Sequence, residues 1–462
     1  MKCLSHYYIE LDKKIEVNFV YEKCSVDTLS QISGFEKNQK NEFGFLRLTF
    51  EYELKEYEAI IDGAIFSRPR YLSILGILSF LLNQPFDVFG SSASSTVFPE
   101  GIEGLKISKE PKLIHEGIEL TEQLEEILNA LYEAKDHEKS LIFSLLDRWR
   151  KGRFLEEDTN ESLLYDDETT LSYFHVLELL GDVYSKTLIA KSKDLIDSFV
   201  NGFNDQVLSL HDKALESENV AKSKLLANIL EKDISVSAKI LHFFKSVSLY
   251  NKETDYWIKN LVQARNNVAH GRRVHYDKAI FPVKPFFPLN ENNLYPLEYL
   301  RILTAKAISN HLEISVYDED WEEIKDSLIP DPDSVKLYLE AGEFSPVDSL
   351  KTDEEKIVFG GLNFYVLFRK IKPQLSLQFY SNYLELFGTN EDFLASNIDA
   401  LVILYEEIKD ESILKMLEDT FIKIVELDCN PHLKFRDMRY FLDFHNFDSP
   451  KLESLIMAKK IK

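Results

Sequence analysis

The segment ARNNVAHG, residues 264–271, sets Arg265, Asn266 and His270 close together along the chain. An imidazole that titrates near neutrality can take or give a proton. A guanidinium fork can clamp the non-bridging oxygens of a phosphate, and an amide can hold an imidazole in one orientation. In RNA the 2′-hydroxyl attacks the adjacent phosphorus once a base removes its proton and the charge growing on the phosphoryl oxygens is stabilised. These three side chains suffice for that cleavage, with no metal ion and no cofactor required. On an ideal helix residues four apart stack on one face, whereas residues five apart diverge by about 140°. Asn266 is therefore set to orient His270. Arg265 reaches the same place only through its long side chain, helped by a backbone that the weak helix formers Asn266 and Asn267 loosen. The plainer reading is a helix fraying into Gly271, with Arg265 and His270 favouring the C-terminal dipole. Context has to decide between them.

Charge supplies part of that context. The chain has 462 residues and a formal net charge of −24. Such a surface repels a phosphate backbone, so any RNA site must be local. Between residues 259 and 284 the balance reverses: Lys259, Arg265, Arg272, Arg273, Lys278 and Lys284 face only Asp277. Arg272 and Arg273, just past the motif, are candidates for contacts to the RNA backbone.

The elements that must position these residues are mostly helical. IEVNFVYE (15–22) and EFGFLRLTFEYEL (42–54) alternate apolar and polar residues, the period of strands, and YLSILGILSFLL (71–82) reads as a buried helix. The remainder is helical: leucines three and four apart run through ELTEQLEEILNALYEA and EKSLIFSLLDRWRKG. LEEDTNESLLYDDET connects to an apolar helix, TLSYFHVLELLGDVYSKTLIAKS, that Thr169 or Thr170 could cap. AKSKLLANILEK and SVSAKILHFFKSVSLY follow, and then DYWIKNLVQARNNVAH, with Thr254 as its N-cap and Gly271 at its end. On that last helix Trp257, Leu261, Ala264 and Val268 form an apolar stripe that anchors it and leaves Asn266 and His270 on another side. The Pro-rich FPVKPFFPLN and the LIPDPDS segment break the pattern, and further amphipathic helices complete the chain without a fixed repeat. The expected fold is mainly α: an α+β N-terminal domain (1–115), a helical domain (116–320) and a C-terminal helical domain (321–462).

R-N-x-x-x-H, written here as Arg265-Asn266-Asn267-Val268-Ala269-His270, resembles the signature of the HEPN superfamily, helical domains of which many are metal-independent ribonucleases. The upstream helix LSYFHVLELLGDVY, the intervening LHFFKSV and the closing His-Gly are similar to the ApeA-like branch, found among bacterial anti-phage and toxin-type proteins. The resemblance covers residues 140–320 and does not extend to 321–462. It implies a HEPN-like helical bundle, a homodimer in which Arg265 of one subunit works beside His270 of the other across a two-fold axis, and an acidic residue on the earlier helix, Glu178, supporting Arg265. His175 on that helix reads as a packed core histidine. His275 and Tyr276 do not reproduce the H-x-Y extension of HEPN toxins silenced by nucleotide transfer.

Rival chemistry is thin. Phosphate-binding, dinucleotide-binding, zinc-protease and nucleophile-elbow motifs are absent from the sequence. A second arginine-to-histidine spacing, Arg439 to His445 in RYFLDFH, lacks a polar residue after the arginine and reads as a packed segment. Cys3, Cys24 and Cys429 are too scattered for a zinc site or disulfide framework, which favours a reducing compartment. Charges appear too early for a secretory signal, and the longest apolar run is too short to cross a bilayer, so a cytoplasmic location away from membranes is expected. Two functions fit: an RNA endonuclease of bacterial defence or of a regulated toxin system, answering to a regulatory protein or phage trigger, or a non-catalytic helical module for dimerisation and protein or nucleotide binding.

Overall fold

In chain order the elements are β1 (Lys2–Glu10), β2 (Ile15–Tyr21), β3 (Cys24–Ile32), β4 (Gln39–Glu53), α1 (Ile60–Leu82), β5 (Ser91–Val97), β6 (Lys112–His115), β7 (Ile118–Glu119), α2 (Thr121–Glu133), α3 (Asp136–Thr159), α4 (Asp166–Gly202), a π-helical turn (Phe203–Val207), α5 (Asp212–Leu230), α6 (Val236–Ser246), α7 (Lys252–Ala269), α8 (Leu297–Leu312), α9 (Asp318–Asp326), α10 (Pro332–Ala341), α11 (Pro373–Ser381), α12 (Glu411–Leu427) and α13 (Pro450–Met457). The structure is a computed structural model that describes residues 2–32, 39–86, 91–97, 110–159, 166–269, 297–326, 331–344, 362, 365–366, 369–381, 402–427, 442 and 447–458. The chain is mainly helical, with an antiparallel sheet near its N-terminus. It divides into two compact units: Met1–Tyr250 with Tyr295–Trp321, and Asn251–Leu294 with Glu322–Lys462.

In the first unit the strand order is β5-β1-β4-β3-β2-β6-β7, with antiparallel neighbours throughout. The register pairs Cys3 with Tyr52, Ser5 with Phe50 and Tyr7 with Leu48, so alternate side chains line one face. Helix α1 packs there: Tyr7 Oη lies 2.8 Å from Ser67 Oγ, and its ring lies 4.7 Å from that of Tyr71. Gly44 sits beside an irregularity in the β3–β4 register with φ at +85°, where a Cβ would meet the Leu29 carbonyl oxygen at 2.4 Å. Only glycine fits that bulge.

Helix α1 starts earlier than its apolar run, at Ile60, and carries Pro69 inside it. Its stretch Ile65–Leu82 passes for a membrane span by length and composition, yet 61% of it is buried inside the protein, as in a core helix. Arg150 and Arg153 of α3 reach the end of α1, donating to the Phe86 and Asn83 carbonyls at 2.8 and 3.1 Å. Phe80, Trp149 and Tyr317 form an aromatic knot, and the Tyr317 hydroxyl donates to the Phe80 carbonyl at 2.6 Å. Helix α4 begins at Asp166, so Thr169 and Thr170 lie inside the helix, buried, instead of capping it. Helix α5 has no buried residue and is tied to the π-helical turn by polar groups: Asn204 Nδ2 donates to Asn219 Oδ1 at 2.7 Å, and Lys222 Nζ donates to Asn204 Oδ1 at 2.9 Å.

The second unit has its own apolar core, which includes Leu339, Phe379, Tyr380, Phe421 and Leu452. Asp331 caps α10 by accepting from the amides of Asp333 and Ser334, with Pro332 opening the helix.

Candidate functional site

Helix α7 carries the motif, and its start is specified by a reciprocal cap. The Thr254 amide donates to Asn251 Oδ1 at 2.6 Å, while the Asn251 amide donates to Thr254 Oγ1 at 2.8 Å. Asn251 is therefore the N-cap, with Thr254 in the third helical position normally held by Glu or Gln. This corrects the expectation that Thr254 itself caps the helix. Glu253 and Asp255 add acidic charge to the first turn, where the helix dipole favours it. Asn251→Ala should cost about 1 kcal/mol of α7 stability, visible as faster amide hydrogen exchange in its first two turns.

The helix presents two opposite faces. Trp257, Ile258 and Leu261 are buried. At about 100° per residue, Lys252, Tyr256, Lys259, Gln263 and Asn266 fall on the far side, with Lys252, Lys259 and Gln263 exposed and Tyr256 and Asn266 half-buried. Burial pushes the Tyr256 phenol up, Asp331 acts in the same direction, and a hydrogen bond with Asn260 opposes them. Lys259 Nζ pairs with Asp255 Oδ2 at 2.5 Å.

Arg265 lies toward the buried side and is itself partly buried, and its Nη1 donates to Asn266 Oδ1 at 3.0 Å. The structure thus brings Arg265 and Asn266 together. An amide oxygen that accepts from a guanidinium fixes the fork's direction. His270, Gly271, Arg272 and Arg273 lie outside the described residues, as do Arg439 and His445. Glu178 and His175 sit partly buried on α4 in the first unit, among the buried Phe174, Leu177 and Leu180. Among the described residues no three His, Cys, Asp or Glu side chains are grouped so as to hold a metal ion.

Charge counting alone passes over the alignment of Lys252 and Lys259 with Asn266. The available signal was their seven-residue spacing, two helical turns each.

Residues 171–282 match a family model described as Apea-like HEPN. The matched region opens within α4 and contains α5, α6 and α7. No curated protein and no solved structure matches the chain.

Proposed function

Because the chain carries an Apea-like HEPN domain at residues 171–282, we propose that it is a metal-independent endoribonuclease acting in bacterial anti-phage defence or as a regulated toxin. The observation that carries this reading is the contact between Arg265 and Asn266 on a helix of the matched region, four residues before His270. In the proposed reaction His270 takes the proton of the ribose 2′-hydroxyl, and Arg265, held by Asn266, stabilises the phosphoryl oxygens. The products are a 2′,3′-cyclic phosphate and a free 5′-hydroxyl. Arg272 and Arg273 bind the RNA backbone. Two copies pair about a two-fold axis so that Arg265 of one faces His270 of the other. The N-terminal domain and the C-terminal helices restrain the site until a regulatory protein or phage component releases it, and the protein works in the cytoplasm.

Incubating the chain with total RNA in EDTA tests this reading directly. The expected fragments end in 2′,3′-cyclic phosphates, and the His270→Ala variant produces none. Fragments ending in 3′-hydroxyls, or identical digestion by the variant, would overturn it.

One observation favours the second reading, a non-catalytic platform for dimerisation or protein binding. Leu195, Phe199, Phe203 and Val207 form a row at four-residue spacing along the end of α4 and the π-helical turn, exposed by 73%, 66%, 41% and 65%. The Phe199 and Phe203 rings stack 6.3 Å apart. Exposed aromatic rows of this kind mark association surfaces. On this reading Phe199→Asp lowers the mass seen by light scattering, or releases a co-purifying protein, while RNA stays intact with wild type and variant alike.

A further inference from the structure

The exposed face of α7 does not end at the motif. Lys252, Lys259 and Asn266 recur every seven residues, with Tyr256 and Gln263 between them, opposite the buried Trp257 and Leu261. Two helical turns separate each of these positions, about 10 Å along the axis. No carboxylate falls within this row. Among the described residues two acids border it: Asp255, one helical turn before Lys259 and paired with it, and Asp331, whose charge acts on the Tyr256 phenol.

In a chain of net charge −24, a row of lysines and amides in line with Asn266 is an unusual local surface. Its chemistry fits one polymer. Ammonium groups bind backbone phosphates as point charges, and a glutamine amide can donate to and accept from a base edge. We propose that this face is a track for single-stranded RNA, resting on the nuclease reading and deepening it. Lys252 and Lys259 hold backbone phosphates upstream of the scissile linkage, and Gln263 meets a base next to it. Lys259 exchanges Asp255 for a phosphate when the strand binds, so Asp255 opposes binding. The track positions substrate and takes no part in proton transfer.

The test uses the full chain and a fluorescent single-stranded RNA with 2′-O-methyl riboses, which cannot react because the attacking hydroxyl is blocked. Anisotropy titrations at several salt concentrations give the affinity and its salt slope. Lys252→Ala with Lys259→Ala should weaken binding about tenfold, evenly across RNA sequences, and reduce the slope of log affinity against log salt by about 1.4. Asp255→Asn should tighten binding, an effect that a merely structural carboxylate would not produce. Gln263→Ala should alter the preference among sequences and leave the slope unchanged. With unmodified RNA at saturation, the double lysine variant should cleave at the wild-type rate with a raised KM. An unchanged affinity and slope in the double lysine variant overturns the track. Failure of the nuclease reading shows separately, as wild-type chain that leaves unmodified RNA intact.

Discussion

His270→Ala and Arg265→Ala should each reduce cleavage of single-stranded RNA by about a hundredfold or more, in EDTA and at saturating substrate. Loss of a general base typically costs about 10²–10⁴ in rate, and loss of a preorganised charge on the reacting oxygens about 10²–10³. Mixing the two inactive variants separates a shared site from a self-contained one. If Arg265 of one subunit serves His270 of its partner, a heterodimer of the two variants holds one intact pair and one doubly defective pair. After subunit exchange an equimolar mixture should recover about a quarter of wild-type activity, since half the dimers are mixed and each has one working site. A self-contained site recovers nothing. Recovery on mixing, measured as initial rate against the ratio of variants, decides the matter, and a flat line at zero refutes the composite cleft.

How much of this was legible in the sequence depended on how each segment buries itself. β2 read clearly because every second residue is buried, and β4 because its polar residues interrupt an aromatic-rich run, even though adjacent residues such as Phe45 and Leu46 are both buried. β1 did not: KCLSHYYIE lies between β4 and β5, and its buried residues include the adjacent Tyr8 and Ile9, so simple alternation fails. β5, SSASSTV, is an edge strand of small hydroxyl residues that carries almost no hydrophobic pattern. The C-terminal half of α5 showed as AKSKLLANILEK, but the helix opens at Asp212 with DKALESENV, and since no residue of α5 is buried there was no periodicity to find. On α7 the apolar stripe was half visible. Trp257 and Leu261 are buried as their spacing requires, while Ile258, also buried, widens the stripe toward Arg265. That width places the arginine beside the core. The cap on Asn251 was hidden for a different reason: Asn251 and Thr254 are both good capping residues, and only the reciprocal bonds show which holds which role.

The largest stability effect should come from a residue outside the motif. Glu156 of α3 lies in the first unit with its side chain 12% exposed, and both of its oxygens are occupied. Arg153 approaches Oε2 and Arg301 of α8 approaches Oε1, each at 3.0 Å. The Tyr173 hydroxyl of α4 also donates to Oε2, at 2.6 Å. Burial, with the Glu156 charge beside it, holds the Tyr173 phenol well above its usual range, so it remains a donor. One carboxylate thus joins three helices. The guanidinium side chains are only 9% and 13% exposed, and their other carboxylate partners, Glu157 and Glu298, are more than half exposed. Removing Glu156 leaves two largely desolvated cations facing each other, and breaking one side of such a buried pair costs about 3–5 kcal/mol. Thermal unfolding of the first unit in Glu156→Ala should therefore fall by roughly 6–20 °C, at about 2–4 °C per kcal/mol for a unit of this size. Removing both partners tells whether charge is the cause. Glu156→Met combined with Arg301→Met removes an anion and a cation together and fills the space with apolar volume, so it should recover most of the loss. The singles and the double form a cycle whose coupling should exceed about 1 kcal/mol. If the two single effects simply add, the carboxylate holds α3, α4 and α8 together by packing alone.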